Sequence, residues 1–176
     1  MLARWHVPCQ QLYREGHLKV FVAGGTGAIG KFLVPLLVEN GHEVVALVRS
    51  GQKAKEVETM GAKAALAAAV NKEELTAAIR KAEPEVIIHQ LTALASAGTF
   101  KKFDEEFALT NRFRTEVTEA MLAAARLVKT RRFIAQSFCG WPFAREGGPV
   151  KTETDPLDPN PPASFRKTLA AIRYLE

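Results

Sequence analysis

The chain has 176 residues, 47% of them hydrophobic and 24% charged, with a formal net charge of +5. That is enough apolar chain for one domain with a buried core, and too much for disorder throughout. Cys9 and Cys139 lie far apart without metal-ligand spacing, which suggests a reducing compartment with no disulfide framework or zinc site, and no run approaches the roughly 18 apolar residues of a membrane helix.

Residues 1–17 are polar-mixed and without a period, and are read as an N-terminal arm ahead of a single domain over 18–176. The first strand is expected at about 18–23. It runs into Gly24-Gly25-Thr26-Gly27-Ala28-Ile29-Gly30, where Gly24, Gly27 and Gly30 fall three apart. A glycine at the strand end permits a tight turn, one in the middle lets backbone approach a ligand, and one in the first helical turn lets helix and strand pack closely. The helix N-terminus then offers unpaired N–H groups to a pyrophosphate. The pattern therefore reads as a dinucleotide-binding turn. Gly25 to Lys31 also satisfies most of a P-loop, but Phe32 stands where the Mg²⁺-holding hydroxyl belongs.

The helix after the turn is expected over about 28–40, stopping at Asn40-Gly41, with Pro35 expected to kink it. Strand two is Glu43–Val48, followed by a short helix near 52–60 and an alanine-rich strand at about 63–67. Asn71 is positioned to cap a helix over 72–82, with Glu73 and Glu74 in its first turn. Strand four is expected over 85–91. A single long helix is expected over about 103–128, with Phe103, Phe107, Phe113, Val117, Met121, Ala124 and Val128 as its core stripe. Strand five follows at 132–136, then a Gly/Pro-rich loop over about 137–162 and a last helix from about 163. Apolar runs alternating with helical patterns indicate a parallel α/β sheet.

In such sheets the residue closing strand two meets the adenosine ribose, an acidic side chain favouring NAD and a basic one accommodating the 2′-phosphate of NADP. Here the strand ends in Arg49-Ser50. A guanidinium can pair bidentately with phosphate and the hydroxyl can donate to it, so NADP(H) is preferred over NAD(H), with NAD still possible. The competing reading makes Arg49 a solvated loop charge.

The glycine turn, Val86-Ile-Ile-His-Gln-Leu91 on strand four and Asn111-x-x-x-Thr115 on the next helix resemble the extended short-chain dehydrogenase/reductase superfamily, within it the NAD(P)-dependent epimerase/dehydratase group. Phe133 to Phe143, Gly147-Gly-Pro149 and Asp155-Pro-Leu-Asp-Pro159 are similar to the loop after strand five in that group. The resemblance implies a Rossmann-type doubly wound parallel sheet in the order 3-2-1-4-5, lacking the usual later strands and C-terminal substrate region, as in a chain cut off after its cofactor-binding half. It implies hydride transfer to or from a nicotinamide on a sugar nucleotide or small carbonyl or alcohol. Ser137 falls at the substrate-orienting hydroxyl, and Leu91 and Thr92 where the chain passes under the cofactor. Asn111 falls at the helix asparagine. Trp141 is a candidate wall of the substrate pocket. The family's tyrosine–lysine pair is not found: Tyr13 and Tyr174 are the only tyrosines, and the matching stretch offers Phe165-Arg-Lys-Thr-Leu169 or Thr168-Leu-Ala-Ala-Ile172. Two readings stay open, a hydride-transfer enzyme and a noncatalytic NADP(H)-binding sensor or remnant.

His89, at the end of a buried strand, reads as a satisfied core histidine. No metal site is expected. The basic cluster Lys129-Thr-Arg131-Arg132 complements a helix C-terminus, and no aromatic-plus-basic stripe suits single-stranded nucleic acid. The expected partner is a small-molecule substrate of unknown identity, with neither nucleic acid nor membrane. Self-association into a homo-oligomer stays open. With no apolar leader visible, the cytoplasm is the expected compartment.

Overall fold

Five apolar runs form one parallel sheet: β1 (Lys19–Ala23), β2 (Glu43–Val48), β3 (Lys63–Leu66), β4 (Val86–His89) and β5 (Arg132–Ala135). Their order is β3-β2-β1-β4-β5, the order that the family resemblance implied. The computed structural model describes residues 16–94, 102–138, 140, 142–152 and 154–176. Trp141, Tyr13 and both cysteines lie outside the described residues, as does all of the expected arm except Gly16 and His17.

Both sheet faces are covered, and so residues 20–23, 44–48 and 86–88 are apolar in unbroken runs rather than at alternate positions. On one face Val20, Val22, Val44, Ala46 and Ile88 pack against Val34 of α1 (Gly30–Glu39) and Val57 of α2 (Gly51–Thr59). On the other, Phe21, Ala23, Leu47 and Ile87 pack against Leu75 and Ile79 of α3 (Lys72–Ala82) and Met121 and Ala124 further along. β5 is an edge strand, and Ile134, the register partner of Ile88, is 45% exposed.

The expected helix over 103–128 is broken. α4 (Phe103–Glu106) stops at Phe107, whose φ of −96° and ψ of 3° leave the helical well. α5 (Ala108–Arg112) then passes through a π-helical turn (Phe113–Val117) into α6 (Thr118–Leu127). The physical reason for the π turn lies at one carbonyl. Phe113 O accepts from His89 Nε2 at 3.0 Å and from Thr118 Oγ1 at 3.0 Å, and these side chains widen the ladder there. The stripe still faces inward: Phe107, Phe113, Val117, Met121 and Ala124 are all buried.

Other elements follow local chemistry. α1 starts at Gly30 rather than residue 28 and is helical straight through Pro35. β4 is shorter than expected because the Leu91 N–H turns to His89 Nδ1, 3.3 Å away, instead of extending the ladder. β5 stops at Ala135, one residue early. After a 3₁₀ turn (Ala163–Phe165) comes α7 (Arg166–Leu175). Its first amides, of Lys167 and Thr168, donate to the Asp104 carboxylate at 3.0 and 2.8 Å, so an acid on α4 caps α7. The loop before α7 is clasped by an antiparallel bridge between Phe143 and Leu157. Leu157 and Phe138 join Phe103, Phe165, Leu169 and Ile172 in a third cluster.

Asn71 caps α3 as the sequence indicated, Oδ1 accepting from Glu73 N and Glu74 N at 3.1 and 3.2 Å. Asn71→Ala is expected to lower unfolding stability by about 1 kcal/mol, measured by urea titration, with no change in the cofactor titrations described below.

Candidate cofactor and substrate site

The carboxyl ends of the parallel strands share one sheet edge, where open α/β sheets bind ligands. At the end of β1, Gly24 has φ +99°, a conformation that side chains resist, and a Cβ there would lie 2.8 Å from Gln90 O. The same contact brings the glycine turn against the start of the segment after β4. Gly30 is tighter still: a Cβ would lie 2.2 Å from Gly24 O and 2.6 Å from Gly25 Cα. Only glycine lets α1 seat its first turn directly on the end of β1.

The turn is closed by Gly27 N–H donating to Gly24 O at 3.0 Å. The amides of Ala28, Ile29 and Gly30 have no acceptor among the described residues. Ala28 and Ile29 are exposed and Thr26 half-buried. Three unpaired donors at the positive end of a ten-residue helix, in a cradle that a side chain would fill, fit a dinucleotide pyrophosphate. Phe32, the residue that excluded a P-loop, is 66% exposed, with the Lys31 ammonium 5.1 Å from its ring centroid.

At the end of β2, Arg49 is exposed. Ser50 has a structural duty as N-cap of α2, Oγ accepting from Lys53 N at 3.3 Å, which leaves its hydroxyl hydrogen free to donate. Beyond β4, Thr92 is exposed and Leu91 half-buried. The Leu91 N–H is committed to His89, so that amide is not a free donor to a ligand. Gln90, which sequence reasoning passed over, holds a buried Oε1 with no donor. Such an acceptor is costly to leave unmet and suits a ligand hydroxyl or amide.

His89 is only 4% exposed and both ring nitrogens are used. Nε2 faces a carbonyl and Nδ1 an N–H, which defines a neutral ring protonated on Nε2. Burial pushes its pKa below the ordinary imidazole range, and the bond to Phe113 O opposes this only in part. This is the satisfied core histidine that the sequence suggested.

At the end of β5, Ser137 Oγ donates to Glu176 Oε1 at 2.6 Å. Beside it the helix asparagine is embedded in a polar chain. Asn111 Nδ2 donates to Thr168 Oγ1 at 3.0 Å, and Thr168 Oγ1 donates to Asp104 Oδ1 at 2.9 Å. In the two stretches where the family resemblance looked for an acid–base pair, Phe165 and Leu169 are buried and so are Thr168 and Ile172, while Tyr174 is 53% exposed. Arg114 Nη1 reaches Asn111 Oδ1 at 3.4 Å. Sequence reasoning missed this arginine, whose one signal was its place three residues beyond Asn111. Trp141 has no structural account here, since it falls outside the described residues. Among the described residues no cluster of three or more metal-type ligands occurs, and no helix is long and apolar enough to cross a membrane.

A family model described as NAD(P)H-binding matches residues 24–174. The chain belongs to the NAD(P)H-binding family. Among curated relatives it is 39% identical over 160 residues to a 3-diazoavenalumate denitrifying reductase from Streptomyces, covering 90% of this chain and 50% of that one. It is 33% identical to a 4-hydroxy-2-methyl-3-oxo-4-farnesyl-3,4-dihydroquinoline-1-oxide ketoreductase from Stigmatella aurantiaca, covering 90% and 45%. Among solved structures, UDP-glucose 4-epimerase from Brucella ovis in complex with NAD superposes with a TM-score of 0.65 at 25% identity, covering 86% and 45%. The Thermotoga maritima UDP-glucose 4-epimerase gives 0.68 at 22% identity, covering 89% and 49%, a likeness of fold. The chain spans about half the length of the curated relatives first matched.

His89 makes stability depend on pH in a defined direction. The unfolded histidine takes a proton near its ordinary value of 6.5, whereas the buried ring resists it. The unfolded state therefore binds more protons, and stability falls as pH drops through and below that value. Urea titrations between about pH 7.5 and about pH 5.5 are expected to show this fall, and a shallower one in His89→Gln.

Proposed function

We propose that this chain is the cofactor-binding portion of an NADP(H)-dependent reductase acting on a small carbonyl-type substrate. One observation carries the reading: the unpaired amides of Ala28, Ile29 and Gly30 sit over a turn that only glycine permits, beside the buried unmet acceptor of Gln90. Bound there, a nicotinamide dinucleotide would supply a hydride. The residues of this chain bind and orient. The turn holds the pyrophosphate, Arg49 and Ser50 meet the adenosine ribose, and Leu91 and Thr92 flank the cofactor. Ser137 directs its hydroxyl to the substrate oxygen once released from Glu176. The reductase and ketoreductase relatives support reduction over epimerisation as the reaction class.

NADP(H) is favoured over NAD(H) because an exposed guanidinium at the end of β2, next to the amino end of α2, faces a 2′-phosphate with two sources of positive potential. A second reading, binding without turnover, is favoured by one observation: α7 presents buried Thr168 and Ile172 instead of a tyrosine–lysine pair.

Calorimetric titration of the full chain is expected to give NADPH affinity at least about tenfold above NADH, a ratio that Arg49→Ala abolishes. Equal affinities would remove the NADP preference, and no binding of either nucleotide would remove the whole reading. NADPH oxidation across a panel of ketones, aldehydes and sugar nucleotides, lost in Ser137→Ala, is the result expected of a reductase. Binding with no oxidation anywhere in the panel supports the second reading.

A further inference from the structure

Arg114 stands on the π turn at the carboxyl edge of the sheet, one residue from the carbonyl that His89 holds. It is only 5% exposed. A guanidinium carries five N–H donors and remains charged in proteins, so burying one without an anion is costly. Among the described residues Arg114 has a single long hydrogen bond, 3.4 Å to Asn111 Oδ1, and one aromatic neighbour, with Cζ 5.7 Å from the Phe138 ring centroid. A cation over a ring offsets part of the burial cost, but a carboxylate would offset far more.

No carboxylate of the described residues answers it. Glu116 is taken by Arg112, with N–O distances of 2.8 and 3.0 Å. Asp104, two hydrogen bonds further along the polar chain, already accepts three bonds from Lys167 and Thr168. Burial draws the guanidinium pKa down, and no acid pulls it back. The chain therefore holds a largely buried cation beside the Ser137 loop, whose remaining donors meet no acceptor among the described residues and still touch solvent.

We propose that Arg114 is the recognition site for the carboxylate of an apolar or aromatic organic acid, the substrate of the reductase reading above, on which this proposal rests. The choice between oxyanions follows from charge and surroundings. One guanidinium balances one negative charge. A carboxylate entering this place leaves no net charge buried, whereas a phosphate dianion would leave one uncompensated. The walls are aromatic: Phe138 meets Phe107 edge-on with centroids 6.2 Å apart, and Phe107 meets Phe103 at 5.2 Å. An aromatic acid can pack its ring there while its carboxylate takes the guanidinium fork. Phe138, half-buried and next to Ser137, is the side chain that the acid displaces on entry.

The test is calorimetric titration of the full chain with 4-hydroxycinnamate, its neutral methyl ester and UMP, with and without NADPH. The acid is expected to bind at least about tenfold tighter than the ester. Arg114→Gln is expected to abolish that ratio, and Arg114→Lys to retain part of it. Equal binding of acid and ester by the unaltered chain overturns the proposal without any variant, as does an unchanged ratio in Arg114→Gln. UMP binding tighter than the acid overturns the carboxylate assignment in favour of phosphate. Loss of NADPH binding alone would overturn the cofactor reading, while the acid–ester ratio without NADPH still decides the role of Arg114.

Discussion

Between the end of β1 and the first turn of α1, backbone packs on backbone. The Gly30 Cα sits where any Cβ would lie 2.2 Å from Gly24 O, so the contact depends on atoms that are missing from the sequence rather than on any side chain. This contact sets the position of α1 against the sheet. Val34 then fills the space over Val22 and Ala46, and the free amides are carried to the edge where the strands end. A helix even slightly further away would leave Val34 poorly packed and direct the same amides into solvent. Packing and the presentation of free amides are thus two results of one close approach.

The opposite half of the site is organised by β4. His89 uses one nitrogen to turn the chain out of the strand at Leu91 and the other to hold the π turn at Phe113. Because the ring is neutral, the interior near Arg114 contains one positive charge rather than two. A protonated ring would lose the bond from Leu91 N–H and would bury a charge without an anion, both unfavourable in a poorly solvated region. The resistance of His89 to protonation therefore keeps both of its hydrogen bonds, to Leu91 and to the π turn, in place.

Much of this was legible from residue order. β2 and α3 have the boundaries that the sequence suggested, Asn71 caps where its neighbours implied, and the glycine spacing located the turn, because each depends on chemistry within a few residues. The sheet order came from family resemblance, since no local pattern encodes which strands become neighbours. The helix over 103–128 misled because its stripe was traced as one. Phe107 and Phe113 are six apart, off the three-and-four rhythm that holds on either side, and the phase breaks there. Arg114 was not legible because long cationic side chains usually extend their heads to water, and only the tertiary structure shows this one covered. The Ser137 hydroxyl could be picked out, but not its partner Glu176, 39 residues away.

The π turn also shapes how this segment tolerates insertion and deletion. One extra residue in a helix rotates all that follows by about 100°. Here that rotation lets Asn111 turn toward α7 while Val117 and Met121 turn to the sheet. The segment before the bulge packs on α7 and the one after it on α3, and they are joined at one place. A residue removed within 113–117 would leave both halves helical but rotate one against the other by about 100°, so that the Asn111–Thr168 bond and the inward-facing stripe would no longer be satisfied together.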